Sequence, residues 1–502
     1  MDPGNFKEHL KGPAETTPPP DTPDHEGVSG AVGHLESADI ASPTEPSDPG
    51  VKALAIRSSF WALGGNITQQ GIRLASNLLL AYLLMPEAFG LMAVVNVVLI
   101  GLQMFSDIGI GPSIIQHKRG EDPAFYNTAW TIQVVRGFIL GLAAVAIVAP
   151  LLYLLGGLLP SNTSDGSAPV YSDPQLLPLI CVGAITAVIS GFNSTKLFSV
   201  NRKLVIGRLT IMEVTVQVIG VSVMAYWAWH YRSVWALIGG SLITASLKMV
   251  LSHVMLPGNN NRFHFEREAF NDLFRFGRWI FLSTSALFIA AQGDRLLLGI
   301  YVSKAVLGVY SIAYFLSEAL SQMIAFVTRR VFLPAFSRVV RDSPERLRQN
   351  YYKVRLRLDA LTLPAAGALM VLGSDVVRIL YTDEYIAAGA MLQVLAIRVA
   401  FACMLPTAVS CLLALGDSKS VFASNLGKTI ILLGGIPLGW HYGQMMGVVW
   451  VIALSELGSL PILWWRMHAH GLLSLPREAL AVLFVAVGYT LGWLISNLLS
   501  WF

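Results

Sequence analysis

From residue 51 onward the chain is a succession of apolar stretches, each long enough to cross a bilayer and broken by few polar positions. Roughly 20 apolar residues span the hydrocarbon core as a helix. Thirteen windows reach that length: 59–84, 89–115, 126–155, 176–200, 206–229, 233–256, 277–301, 305–329, 357–380, 386–415, 420–440, 444–465 and 478–500. The pattern predicts an all-α membrane protein, a twelve-helix core with the thirteenth window as an extra C-terminal helix.

The polar positions inside these windows are ordered. Asn66, Gln70, Arg73 and Asn77 recur at helical spacing and form one stripe on the first span. Ser311, Tyr314, Glu318, Ser321 and Gln322 form a second on the eighth. A fixed cation at membrane depth is costly unless it faces water or a partner, so the stripes predict a wet, charged interior.

Charge between the windows fixes an orientation. Basic residues follow windows two (Lys118, Arg119), four (Arg202, Lys203, Arg208), six (Arg262, Arg267, Arg275, Arg278), eight (Arg338 through Arg357) and twelve (Arg466, Arg477), with Lys419 alone after window ten. The opposite loops are nearly bare, apart from Arg232 and Lys304. Such alternation places the basic loops and the N-terminus in the cytoplasm and, with an odd final span, the C-terminus outside. The loop 334–356, with Tyr351 and Tyr352 near its end, is expected on the membrane surface against anionic headgroups. Segment 262–276 reads as an interfacial amphipathic helix through Phe263, Phe265, Phe270, Leu273 and Phe274. The basic residues hug span ends, so no nucleic-acid partner is expected.

Composition agrees. The chain has 502 residues, 54% hydrophobic and 13% charged, whereas soluble domains carry about 25% charged residues. Residues 1–50 differ: their net charge is −8, against +12 for the remainder. Rich in Pro, Ser, Asp and Glu, this tail is expected to be a disordered, solvated leader without a cleavable signal. Cys181, Cys403 and Cys411 all fall inside apolar windows and read as small buried hydrophobes. The predicted organisation is the tail 1–50, an N-terminal lobe 51–260, a C-terminal lobe 261–467 and the additional helix 468–502.

The lobes are related in sequence. Leu78–Gly90, LLLAYLLMPEAFG, aligns without a gap to Leu296–Gly308, LLLGIYVSKAVLG, at an offset of 218 residues. Six windows separate the two copies, an even number, so the lobes share one orientation, as parallel transporter repeats do.

Residues 78–116, including "LLMPEAFGLMAV" and "FSDIGIGPSIIQ", resemble the polysaccharide-transport proteins of the multidrug/oligosaccharidyl-lipid/polysaccharide exporter superfamily. "GDRLLLGIYVSKAVLGVYSIAYFLSEAL" (293–320) is similar to the start of their second half, and "LGDSKS" at 415–420 extends the likeness to about 55–465. The nearest subgroup is the lipopolysaccharide and exopolysaccharide flippases. The resemblance implies a V-shaped pair of six-helix lobes in the inner membrane, working by alternating access on an undecaprenyl-diphosphate-linked oligosaccharide. It also implies a cationic cavity and an ion gradient, H⁺ or Na⁺, as drive. Expected partners are this lipid-linked oligosaccharide and membrane lipids, together with polysaccharide polymerase and chain-length proteins.

A diphosphate needs cations to cross hydrocarbon, and arginine can donate two hydrogen bonds to phosphate. Arg73, Arg136, Arg295 and Arg398 are the candidates. Arg136 and Arg398 read equally as interhelical ion-pair partners, and Arg295, beside Asp294 near the outer end, as a snorkelling or fold-fixing residue. Glu318 is either a coupling-ion carrier or a permanent salt-bridge partner, and Glu456 is a weaker carrier candidate. Asp107 is read as fixing the turn "DIGIG" or pairing with a loop cation. Lys196 reads as snorkelling, and Glu213, Lys248 and Lys428 as structural or gate residues.

Enzyme chemistry is not legible. Gly427-Lys428-Thr429 ends like a phosphate-binding loop, but Phe422 stands where its first glycine must be. No catalytic set, metal site or cofactor is predicted. A membrane polysaccharide polymerase or ligase would need a substantial outer loop, and 156–175 has no basic residue. A drug exporter of the same superfamily taking cationic drugs would favour a carboxylate-rich interior.

Overall fold

Among the described residues the thirteen apolar windows lie largely on helix, with an interruption inside 176–200, and no strand occurs. The computed structural model describes residues 49–105, 109–158, 168–203 and 205–499. The acidic leader through residue 48, Asp107 and residues 159–167 of the loop following Leu158 lie outside them. The helices are α1 (Pro49–Leu83), α2 (Pro86–Phe105), α3 (Ile110–Gln116), α4 (Pro123–Ala143), α5 (Ala149–Leu158), α6 (Leu176–Gly191), α7 (Lys196–Arg202), α8 (Ile206–Tyr231) and α9 (Trp235–Val254) in the N-terminal half. The C-terminal half holds α10 (Arg267–Tyr301), α11 (Lys304–Val327), α12 (Leu333–Asp342), α13 (Leu347–Leu380), α14 (Ala387–Ala414), α15 (Ser418–Leu454), α16 (Leu460–Ala469) and α17 (Leu475–Leu499).

Eight helical segments among the described residues are long and apolar enough by themselves to cross a membrane. A ninth is the pair α6 and α7, bent by 56°. One of the eight, Ser418–Ala469, contains the two windows 420–440 and 444–465. Gly443 and Gln444 leave helical geometry there, Gln444 with φ 48°, and the chain turns back on itself. The helices that miss the criterion include α1, α10 and α11. They carry Asn66, Gln70 and Arg73; Gln292, Asp294 and Arg295; and Glu318 and Gln322.

The expected fourth span is two helices. Gly191, Asn193, Ser194 and Thr195 interrupt it, small and hydroxyl or amide residues that compete with helical hydrogen bonds. The freed carbonyls need donors in an apolar setting, and the Gln133 side chain supplies them, reaching Gly191 O at 3.0 Å and Asn193 O at 2.9 Å. Beyond the break Lys196 is buried, its Nζ donating to His253 O at 2.9 Å and Asn260 Oδ1 at 3.0 Å. It does not snorkel, because those two acceptors already satisfy it.

Two further expectations change. The basic loop 334–356 is largely helical, occupied by α12 and the start of α13, and Tyr351 and Tyr352 are fully buried rather than at headgroups. Segment 262–276 is extended to Glu266 before α10 begins. There Leu273 packs with Ile110, Ile114 and Phe125 of the N-terminal half, while Phe263, Phe265 and Phe274 stay exposed.

Helix α17 is integral. A Cβ added at Gly488 would overlap the backbone of Pro364, and one at Gly492 the backbone of Ala368, so α17 and α13 meet main chain to main chain, as small residues allow in membranes. Buried Glu478 anchors one end, pairing with Arg355 at 2.6 Å and accepting from Tyr352 Oη at 3.0 Å. Arg355 also holds Asp359 at 3.2 Å.

The two halves are tied beside the short turns that precede α2 and α11. Tyr385 Oη donates to Leu84 O at 2.9 Å, and Tyr381 Oη to Asn77 Oδ1 at 2.7 Å. Tyr171 Oη donates to Leu296 O at 2.9 Å, and Lys304 pairs with Asp173 at 2.7 Å.

Candidate functional site

Helices α1, α10, α11, α14 and α15 turn their polar positions toward two adjoining cavities of about 570 and 900 Å³. The two share Gln70, Glu318, Gln322, Arg398, Asn425 and Lys428 in their walls and are one space. Arg73 and Arg295 line the first; Asn66, Arg330 and Glu456 line the second. Together the walls present five cations, Arg73, Arg295, Arg330, Arg398 and Lys428, against two carboxylates, Glu318 and Glu456.

Arg398 is the organising residue. It is 6% exposed, and its Nη2 donates to Glu318 Oε2 at 2.6 Å and to Tyr314 Oη at 3.3 Å. Its Nε lies 4.0 Å from Glu456, which pairs with Lys428. Two guanidiniums approach the Tyr314 ring, Arg398 at 4.8 Å and Arg295 at 4.6 Å from its centroid. Cation–π attraction lowers the cost of two like charges so close. Even so, Arg398 Nη1 and Arg295 Nε are buried and have no hydrogen-bond partner among the described residues.

Arg73 is differently placed. Its Nη1 reaches only amide oxygens, Gln70 Oε1 at 3.4 Å and Gln322 Oε1 at 3.5 Å, and among the described residues it makes no ion pair. The exposed guanidinium is therefore held in position without being neutralised. Arg330 enters through a wider π turn, Thr328–Phe332, a distortion frequent at functional sites.

Not every stripe residue is here. Asn77 lies beyond the cavity wall and accepts from Tyr381. Ser311 returns its hydroxyl to Leu307 O of its own helix at 2.7 Å. Tyr314 and Gln322 line the cavity. Arg136 faces another chamber, of about 300 Å³, within the N-terminal half. Among the residues lining the central space, sequence reading passed over Gln292, Asn425 and Arg330. Lys428 was read as a structural or gate residue, and only the α15 hairpin brings it to Glu456.

Helices wrapped about a charged internal space define a polytopic membrane protein of transporter type. The solved structures it resembles share that fold. A lipid II flippase MurJ in an inward closed conformation superposes with a TM-score of 0.62 at 14% identity, covering 88% of this chain and 98% of the other. An inward-facing multidrug resistance MATE family transporter of the MOP superfamily gives 0.60 at 14% identity, covering 80% and 95%. The chain belongs to the polysaccharide biosynthesis protein family, whose model matches residues 79–390. It is 24% identical over 401 residues to the lipopolysaccharide biosynthesis protein WzxC of Escherichia coli, covering 79% of this chain and 76% of that protein. With the teichuronic acid biosynthesis protein TuaB of Bacillus subtilis it shares 22% over 368 residues, covering 73% and 72%.

Proposed function

We propose that this protein flips an undecaprenyl-diphosphate-linked oligosaccharide from the inner to the outer leaflet of the cytoplasmic membrane, by alternating access. One observation carries the reading: five cations and two carboxylates line a single intramembrane space. A diphosphate enters such a space as the missing counter-charge, with Arg73 donating two hydrogen bonds and Arg295 and Arg398 supplying field from a shielded position. The flippase named among the structural neighbours and the polysaccharide biosynthesis relatives support this class of cargo. A carrier of cationic drugs would want the opposite sign, and nothing in the wall calls for bond-making chemistry.

The basic loops lie in the cytoplasm in this reading, with the N-terminus. The turns before α2 and α11 then face outward, and their ties hold the outer end shut. Glu318 is the coupling group: taking up H⁺ or Na⁺ there releases Arg398 to the cargo.

The test is the lipid-linked glycan of a deletion strain, assayed with a probe confined to the outer face. Repeat units accumulating on the cytoplasmic face support flipping. Single units that reach the outer face and stay unpolymerised overturn it in favour of a polymerase.

A further inference from the structure

Where α17 meets α13, three charged side chains are shut away from water. Arg355, Asp359 and Glu478 are 3%, 1% and 4% exposed, and none of them lines the central cavity. One turn further along the two helices lie Leu363 and Ala481, in an apolar cluster with Ile324, Val399 and Cys403. The guanidinium is shared out. Its Nε donates to Asp359 Oδ2 at 3.2 Å, its Nη2 lies 2.6 Å from Glu478 Oε2, and its Nη1 donates to the Tyr351 hydroxyl at 2.5 Å. Glu478 Oε1 accepts from Tyr352 Oη at 3.0 Å. Asp359 Oδ1 is buried without a hydrogen-bond partner among the described residues.

The surroundings bring no second cation. From α14 the titratable group facing Asp359 is the buried Cys403 thiol, and α12 presents Phe336 to Tyr351. Arg477 lies over the Tyr352 ring, 5.0 Å from its centroid. It is exposed, as are Lys353 and Arg357, and none of the three makes an ion pair among the described residues. With both carboxyls ionised, two carboxylates would face one cation, and one negative charge would stand uncompensated far from water. That is costly in an apolar surrounding.

We infer that this cluster is a proton-binding site, holding one proton on Asp359 Oδ1. Glu478 is the anion, because Arg355 and Tyr352 both serve it. Asp359 is the acid, because one of its oxygens meets nothing else. A metal cation does not fit: one free oxygen beside a guanidinium falls short of the six or so that hard cations gather. The bound proton makes the cluster neutral and lets α17 dock on α13; its loss sets two carboxylates against each other across that contact. In the proposed orientation this end of α17 faces the cytoplasm, which supplies the proton. The site is separate from Glu318 and independent of the cargo.

Infrared spectra of the full-length protein in lipid nanodiscs at neutral pH read the proton directly. Subtracting the spectrum of Asp359→Asn from that of the parent should leave the carbonyl band of a protonated carboxyl, which moves to lower frequency in D₂O. Glu478→Gln should erase the same band although Asp359 stays in place, because Asp359 then becomes the sole counter-ion of Arg355 and ionises. Asp359→Asn mimics the neutral acid and should melt no lower than the parent. A difference spectrum holding only carboxylate bands, a protonated band that survives Glu478→Gln, or a lowered melting temperature in Asp359→Asn overturns the inference.

Discussion

Gly90 and Gly308 occupy equivalent positions in the two copies of the internal repeat, and each lies against the other's helix start. A Cβ on Gly90 would run into the carbonyl of Lys304, and one on Gly308 into that of Pro86, the residue equivalent to Lys304. The same Cβ on Gly308 would lie 3.1 Å from the Gly90 nitrogen. Equivalent atoms thus make reciprocal contacts, the signature of a local two-fold relation. A leucine at either position should force α2 and α11 apart at this end. In a cysteine-free background, Gly90→Leu and Gly308→Leu should each raise labelling of a Gln322→Cys thiol by an impermeant maleimide added outside. Unchanged labelling in both variants would mean this contact does not hold the outer end closed.

Among the described residues Arg73 is held by amides alone, so its loss should remove cargo binding without unfolding the protein. A hydrogen bond to a charged group is worth about 1.5–3 kcal/mol. Arg73→Ala should therefore lower export by roughly tenfold to a hundredfold at equal membrane abundance. Arg73→Lys should recover part of it, keeping charge but not the bidentate fork. Full export by Arg73→Ala would refute the assignment.

Glu318 and Arg398 should behave as a unit. Removing one partner of a fully buried pair costs about 3–5 kcal/mol. Arg398 is buried but the Glu318 side chain is 25% exposed, so Glu318→Gln and Arg398→Gln should each lower the melting temperature by less than that cost implies, and the double variant should recover much of the loss. Any surviving export by Glu318→Gln should no longer collapse with an uncoupler. If it collapses as in the parent, Glu318 is not the ion carrier.

Asp417 caps α15 through Ser420 N at 3.2 Å and pairs with Arg466 at 2.7 Å. Burial raises its carboxyl pKa, but Ser420 and Arg466 outweigh that and hold it at about 2. With the folded pKa below the ordinary value near 4, its contribution is complete above that range and fades as pH falls towards 2. Asp417→Ala should cost about 1–2 kcal/mol at neutral pH. In thermal melts, the gap between parent and variant should narrow on acidification; a constant gap would contradict this.

What the sequence made legible follows from distance along the chain. Asn66, Gln70 and Arg73 share one helix, and their period alone aims them at one space. Asn77 obeys the same period but sits a turn further on, opposite Tyr381 just past the end of α13, which no local pattern announces. Arg136 was recognisable as a buried cation, yet its chamber is set by how α4 meets α6, through Gly137 and Gly191. The pairing of Glu456 with Lys428 rather than directly with Arg398 depends on the turn at Gly443 and Gln444. The break after Gly191 looked apolar enough to be one span, because the Gln133 side chain that makes it tolerable comes from another helix.

The α15 turn has a mechanical consequence. Gly427 meets Gly458, and Gly439 meets Gly447, backbone against backbone along both arms, so the arms translate and tilt as one body. Lys428 and Glu456 ride on that body and keep their separation through any rocking of the halves. Their charges would cancel at every stage of the proposed cycle. Arg398 and Glu318, on α14 and α11 of the same half, travel with them. Of the five wall cations only Arg73, on α1, belongs to the other half, so a rocking of the halves would move that charge against the remaining four.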